Sequence, residues 1–170
     1  MKYIKKLIYV LLLTVATQVA TAQIKILYGP YLQNVKENEA TIVWEADKPS
    51  IGWVELAPDD GTHYYGEERP KYFDTTNGVK NTSLLHTVKV KGLTPGTTYR
   101  YRIYAQEVLS HEGISVIYGR VAASDVYKKK ALTFTTCDSQ KKETSFAMIN
   151  DIHGREGIIT KLLNTAGYKD

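Results

Sequence analysis

Between Gln23 and about Thr136 no stretch repeats its apolar residues at helical spacing. Short runs rich in β-branched and aromatic residues alternate there with Gly, Pro, Asn and Asp. A chain patterned this way can bury its apolar faces only by pairing strands and packing two sheets together, so the sequence predicts an all-β sandwich. Ala40-Thr41-Ile42-Val43-Trp44-Glu45 reads as a strand. A period of two puts Ile42 and Trp44 on one face and Thr41, Val43 and Glu45 on the other, with Trp44 as a core pillar. Ile51 to Leu56 reads as the next strand, entered through Lys48-Pro49-Ser50 and closed by Pro58-Asp59-Asp60-Gly61, where Asp60-Gly61 favours a tight hairpin turn. From Leu84 to Val90 the alternation places His86 with Leu84, Val88 and Val90, facing inward or near an edge.

The connection Gly92-Leu93-Thr94-Pro95-Gly96-Thr97-Thr98-Tyr99 leads into a strand from Arg100 to Ala105. Leu93, Pro95 and Tyr99 have the spacing of a tyrosine corner, in which a buried phenol hydrogen-bonds to the preceding connection and pins the crossing between sheets. Two insertions interrupt a minimal sandwich. Gly66 to Ser83 is polar and aromatic, and Gln106 to Lys130 carries an apolar centre at Ile114 to Val121 that suits an extra hairpin. Asn81-Thr82-Ser83 matches a glycosylation acceptor, relevant only in a host with that machinery.

The first residues read as a secretory signal. Lys2, Lys5 and Lys6 precede an apolar segment from Leu7 to Val15, and Ala20-Thr21-Ala22 supplies small residues before Gln23. Export and cleavage after Ala22 are expected, without a membrane anchor, because the apolar core falls short of the ~20 residues a span needs. Removing the leader's three lysines takes the formal net charge from +4 to +1. The basic composition therefore gives no nucleic-acid signal, and Lys128-Lys129-Lys130 reads as a solvated loop. Cys137 is the single cysteine, so the fold has no internal disulfide and must rest on its core.

After Thr136, residues 137–144 read as a polar linker and residues 145–170 as the start of something else. Phe146-Ala147-Met148-Ile149 is an apolar run that ends in Asn150-Asp151-Ile152-His153-Gly154, and Ile158, Ile159, Leu162, Leu163 and Ala166 follow at helical spacing. The pattern is strand, Asp-x-His loop, helix. A carboxylate and an imidazole two residues apart past the end of a buried strand can turn toward one ion.

Two resemblances follow from these residues. Trp44 with the corner of Leu93, Pro95 and Tyr99 resembles a fibronectin type III domain. With Gly29-Pro30-Tyr31-Leu32-Gln33 before Ala40 to Trp44, residues 23–136 are more narrowly similar to the sandwich domain that precedes the catalytic domain in purple-acid-phosphatase-like enzymes. Asp151-Ile152-His153-Gly154 looks like the first motif of the calcineurin-like metallophosphoesterases. The fold class expected is thus a fibronectin type III-like sandwich followed by the first strand-loop-helix of an α/β metallophosphoesterase domain.

The second resemblance implies hydrolysis of phosphate esters at a two-metal site of Zn, Fe or Mn, with Asp151 and His153 as ligands of the first ion. The family's later Gly-Asp, Gly-Asn-His and Gly-His-x-His motifs are not present, so the chain by itself is expected to be inactive. His153 stands where true purple acid phosphatases resemble Asp-x-Gly, which favours the broader class. The competing reading is an exported binding or spacer module without catalysis. The leader makes its own prediction: protein recovered from the periplasm or medium has the intact mass of a chain beginning at Gln23. Retention of Met1 to Ala22 would make the leader an anchor.

Overall fold

The computed structural model describes residues 23–125, 129–143, 148 and 157–167. The signal segment, residues 1–22, lies outside them. The chain divides into two compact units, Met1–Cys137 and Asp138–Asp170. The first is built of antiparallel strands: β1 (Ile26–Gln33), β2 (Glu39–Pro58), β3 (Lys71–Phe73), β4 (Thr75–Thr76), β5 (Val79–Lys80), β6 (Ser83–Lys91), β7 (Thr98–Glu112), β8 (Ser115–Ala123) and β9 (Leu132–Thr135). The second contains α1 (Gly157–Thr165).

β2 organises the sandwich. Its first half pairs with β1 on one side and β6 on the other, from Glu39↔Lys91 to Glu45↔Leu85. Its second half pairs with β3 and with β7, the latter from Ser50↔Glu107 to Pro58↔Tyr99. One strand of 20 residues therefore belongs to both layers, and it crosses between them where its pairing with β6 breaks register between Glu45 and Ser50. A strand that changes sheets at a bend is a standard way to make a sandwich corner. The sequence reading treated Lys48-Pro49-Ser50 as a break between two strands. Pro49 lacks an amide donor, yet the strand runs on, because a bend at this position leaves that residue out of the ladders.

The core lies between the two layers. Ala40, Ile42 and Trp44 from β2, with Val88 and Val90 from β6, meet Val54 and Leu56 from the second half of β2, Tyr101 and Ile103 from β7, and Phe134 from β9. The alternation in β2 and at His86, Val88 and Val90 of β6 is the expected one, with Trp44 completely buried. Leu84, assigned to the same face, is exposed, because it lies where the pairing of β6 with β2 is interrupted. Val43 on the other face is buried too, as the central strand of its layer. The corner forms as predicted: the Thr94 amide donates to the Tyr99 phenol at 2.9 Å. Leu93 is buried beneath it.

The turn after β2 departs from the simplest expectation. Asp60-Gly61 does not make a two-residue hairpin; β2 and β3 are joined by the whole of 59–70. Asp60 instead accepts from the Thr62 amide and hydroxyl at 3.0 and 2.6 Å, closing a local side-chain turn. The tight hairpin lies further on, between β4 and β5, where Asn77 and Gly78 have φ of 51° and 81° as a type I′ turn requires. The extra hairpin foreseen at Ile114 to Val121 is present as the distal parts of β7 and β8.

In the second unit α1 has no buried residue; Ile158 and Leu162 are exposed. Among the described residues no helix is long and apolar enough to cross a membrane. Because Trp44 fills the space between the layers, Trp44→Ala should lower stability by about 3–5 kcal/mol through lost burial and the cavity left behind. A urea melt with an unchanged midpoint would contradict this packing.

Candidate functional site

Asp151 and His153 lie outside the described residues, so their geometry is not part of the structure. Among the described residues no group of three or more His, Cys, Asp and Glu is placed to hold a metal ion. Two polar arrangements in the sandwich bring several functional groups together.

The first is buried where β2 crosses between layers. His86 on β6 stands opposite Trp44 on β2, ring centroids 5.1 Å apart. Its Nε2 lies 2.8 Å from the Ser50 hydroxyl and its Nδ1 lies 3.3 Å from Asp74 Oδ2. Asp74 Oδ1 accepts from Asn81 Nδ2 at 2.8 Å. His86 and Ser50 are fully buried and Asp74 is 6% exposed. The order Ser, His, Asp is that of a hydrolytic triad, but a nucleophile must meet its substrate, and Ser50 has no surface to offer. The arrangement instead lets a buried imidazole satisfy both nitrogens in its neutral form, with Nδ1–H donating to Asp74 and Nε2 accepting from Ser50. Burial lowers the His86 pKa from its usual range, and the hydrogen bond and charge of Asp74 partly oppose that.

Space around the ring is closed. A Cβ on Gly52 would come 2.5 Å from His86 Cγ and Nδ1 and 2.8 Å from Trp44 Cζ2. Only glycine lets β2 approach these rings so nearly. Asn81 is the acceptor residue of the Asn-Thr-Ser motif, and its amide is already committed to Asp74. Glycosylation there would remove one Nδ2 hydrogen from this network.

The second arrangement covers the outer face of the layer containing β3, the end of β2 and β7. Cross-strand register sets Phe73, Trp53 and Tyr104 side by side. Trp53 and Tyr104 stack with centroids 4.9 Å apart and planes 1° from parallel. Lys80 Nζ sits 4.0 Å over the Phe73 ring, and the Arg102 guanidinium lies over Tyr104 and Tyr65. Beneath them Glu55 collects the Tyr104 hydroxyl at 2.8 Å and the Trp53 indole at 3.4 Å. Burial raises the Tyr104 pKa, helped by the hydrogen bond to Glu55, so that hydroxyl stays a donor at any ordinary pH. Arg100 ties the 59–70 connection down by donating to the Pro58 and Thr62 carbonyls at 2.9 and 2.8 Å. The ring faces are thus occupied by one another and by cations, an arrangement that stabilises the sheet.

The alternation in sequence leaves His86 facing inward or near an edge and gives none of its partners, since Ser50 and Asp74 are 36 and 12 residues away along the chain. The turn residue in Asp74-Thr75-Thr76-Asn77-Gly78 was the one available signal, and it reads as surface loop.

Residues 29–136 match the family model described as the purple acid phosphatase N-terminal domain. The chain belongs to that family. Comparison with curated proteins returned no significant match. Among solved structures, a computationally redesigned β-sandwich protein is 18% identical, with 68% of this chain and 97% of that chain covered and a TM-score of 0.40. Two structures of the sensor domain of the anti-sigma factor RsgI4 from Pseudobacteroides cellulosolvens are 15% and 12% identical. They cover 74% and 71% of this chain and 98% and 99% of theirs, with TM-scores of 0.36 and 0.34.

The closed packing around His86 is open to a direct check. Gly52→Ala should destabilise the sandwich by about 1–3 kcal/mol, since the added methyl must displace a ring or the strand. A thermal or urea midpoint equal to that of the wild type would mean that the rings do not meet β2 as described.

Proposed function

We propose that this chain is the N-terminal part of an exported, metal-dependent phosphoesterase. In this reading the sandwich is a non-catalytic module and Asp151 and His153 begin the catalytic site. The observation that supports it most is the order of the chain: a sandwich of the purple acid phosphatase N-terminal family over residues 29–136, followed by Asp151-Ile152-His153-Gly154. A carboxylate and an imidazole are a donor pair suited to Zn, Fe or Mn. Two such ions, when bound, supply a nucleophile at neutral pH and offset the charge that develops on the phosphoryl oxygens. Asp151 would contribute an anionic oxygen ligand and His153 a neutral nitrogen one.

Two protein ligands are fewer than the three that a catalytic zinc ordinarily takes, so residues 1–170 alone should not turn over substrate. The test is hydrolysis of an aryl phosphate with added Zn, Mn or Fe by residues 23–170, by the full-length gene product, and by full-length His153→Ala. The short chain should show no metal-dependent turnover and the full-length protein should show it. Loss of a direct ligand should cost more than the 10–100-fold typical of residues one shell further out. Undiminished turnover by His153→Ala, or absence of turnover in the full-length protein under every metal, would remove this function and leave a binding or spacer module.

A further inference from the structure

We propose that Ser50, His86, Asp74 and Asn81 form an acid-sensitive latch, which holds the inserted connection 74–81 against the bend of β2 while the imidazole is uncharged. This inference does not depend on the phosphoesterase reading. It starts from how the connection is attached. Residues 75–80, the β4–β5 hairpin, are exposed throughout. At the hairpin's base the Asp74 amide donates to the Gly52 carbonyl at 2.9 Å and the Asn81 amide to the Asp74 carbonyl at 2.9 Å. Asn81 Nδ2 and His86 Nδ1 then close on the two oxygens of the Asp74 carboxylate. Asp74 is thus the buried anchor of the insertion, and His86 is its link to the sandwich interior.

The neutral imidazole fits this cage. With Nδ1–H given to Asp74, Nε2 is free to accept from the Ser50 hydroxyl at 2.8 Å. Protonation turns Nε2 into a donor as well. Ser50 must then accept from it and send its own hydrogen elsewhere, and the acceptor within reach, the Ser83 carbonyl, is 3.4 Å away. A charged ring also loses its hydration, since His86 is fully buried.

The groups facing the ring are few. From β2 they are Trp44, Gly52 and Ser50, none of which titrates in the relevant range. From the β3–β4 connection it is Asp74, the opposite charge in contact. On β7, Glu107 stands opposite Ser50 in register and is tied to Lys48 at 2.8 Å.

The direction follows from linkage. Burial, the larger influence, holds the folded imidazole below its usual range despite Asp74. An opened latch, with His86 in water, therefore takes up the proton first as pH falls. Closure is at full strength above the solvated imidazole's pKa of about 6.5, and it weakens below that by up to about tenfold per pH unit until the folded ring itself titrates.

The experiment is amide hydrogen exchange on the full chain between pH 7.5 and 5.5, corrected for the intrinsic chemical rate and read at Asp74 and Asn81. Protection should fall by about tenfold at pH 5.5 in the wild type and stay flat in His86→Gln. Equal pH dependence in both proteins, flat protection in the wild type, or protection that rises on acidification would overturn the proposal. Should His86→Gln fail to fold, NMR titration of the wild-type imidazoles decides the matter. His86 should titrate below the solvated imidazole's usual pKa of about 6.5; a midpoint at or above that value would overturn the latch.

Discussion

The sandwich depends on β2 serving both of its layers. Because Trp44 and Trp53 lie on the two halves of one strand, the inner packing around the first and the outer ladder around the second share a backbone. The corner between them has to be compact, and the contacts there show how that is met. Gly52 gives up its side chain so that the rings of Trp44 and His86 can lie against β2. His86 brings a polar group into the interior, and Ser50 and Asp74 satisfy it there. The Trp44 indole nitrogen lacks a partner among the described residues, a cost that its burial and ring contacts must exceed.

A buried polar cluster at such a point is weaker support for stability than an apolar one of the same volume, because each group must first leave water. What it adds is definition. The hydrogen bonds reach from β2 through β6 to the 74–81 connection, so they fix which residues meet at the corner and where the insertion leaves it. The tyrosine corner does the same at the far end of β7, where Tyr99 holds the chain as it enters the strand.

What could be read from the sequence was whatever a short window carries. Period-two alternation placed Ile42, Trp44, Val88 and Val90 in the core, and the spacing of Leu93, Pro95 and Tyr99 gave the corner. Features set by distant residues stayed hidden. Lys48-Pro49-Ser50 looks like a stop because proline usually ends a ladder, and only the partners on β6 and β7 show that the strand continues. Asp60-Gly61 looks like a hairpin, but Thr62 and Arg100 give Asp60 other work. The Asp74–His86–Ser50 contacts join three segments, and no local pattern announces them. Asp151 and His153 remain a reading of sequence, resting on the strand and helix patterns on either side of them.

The chain's two tryptophans, one on each half of β2, allow a direct test of whether that strand makes the two layers one unit. Incorporation of 5-fluorotryptophan gives each ring its own fluorine resonance without altering the sequence, and both can be followed through a single urea titration. One strand shared by two layers predicts coincident loss of the Trp44 and Trp53 signals, with the same midpoint and slope. Two separate transitions would mean that the layers fold independently and that β2 does not hold them together.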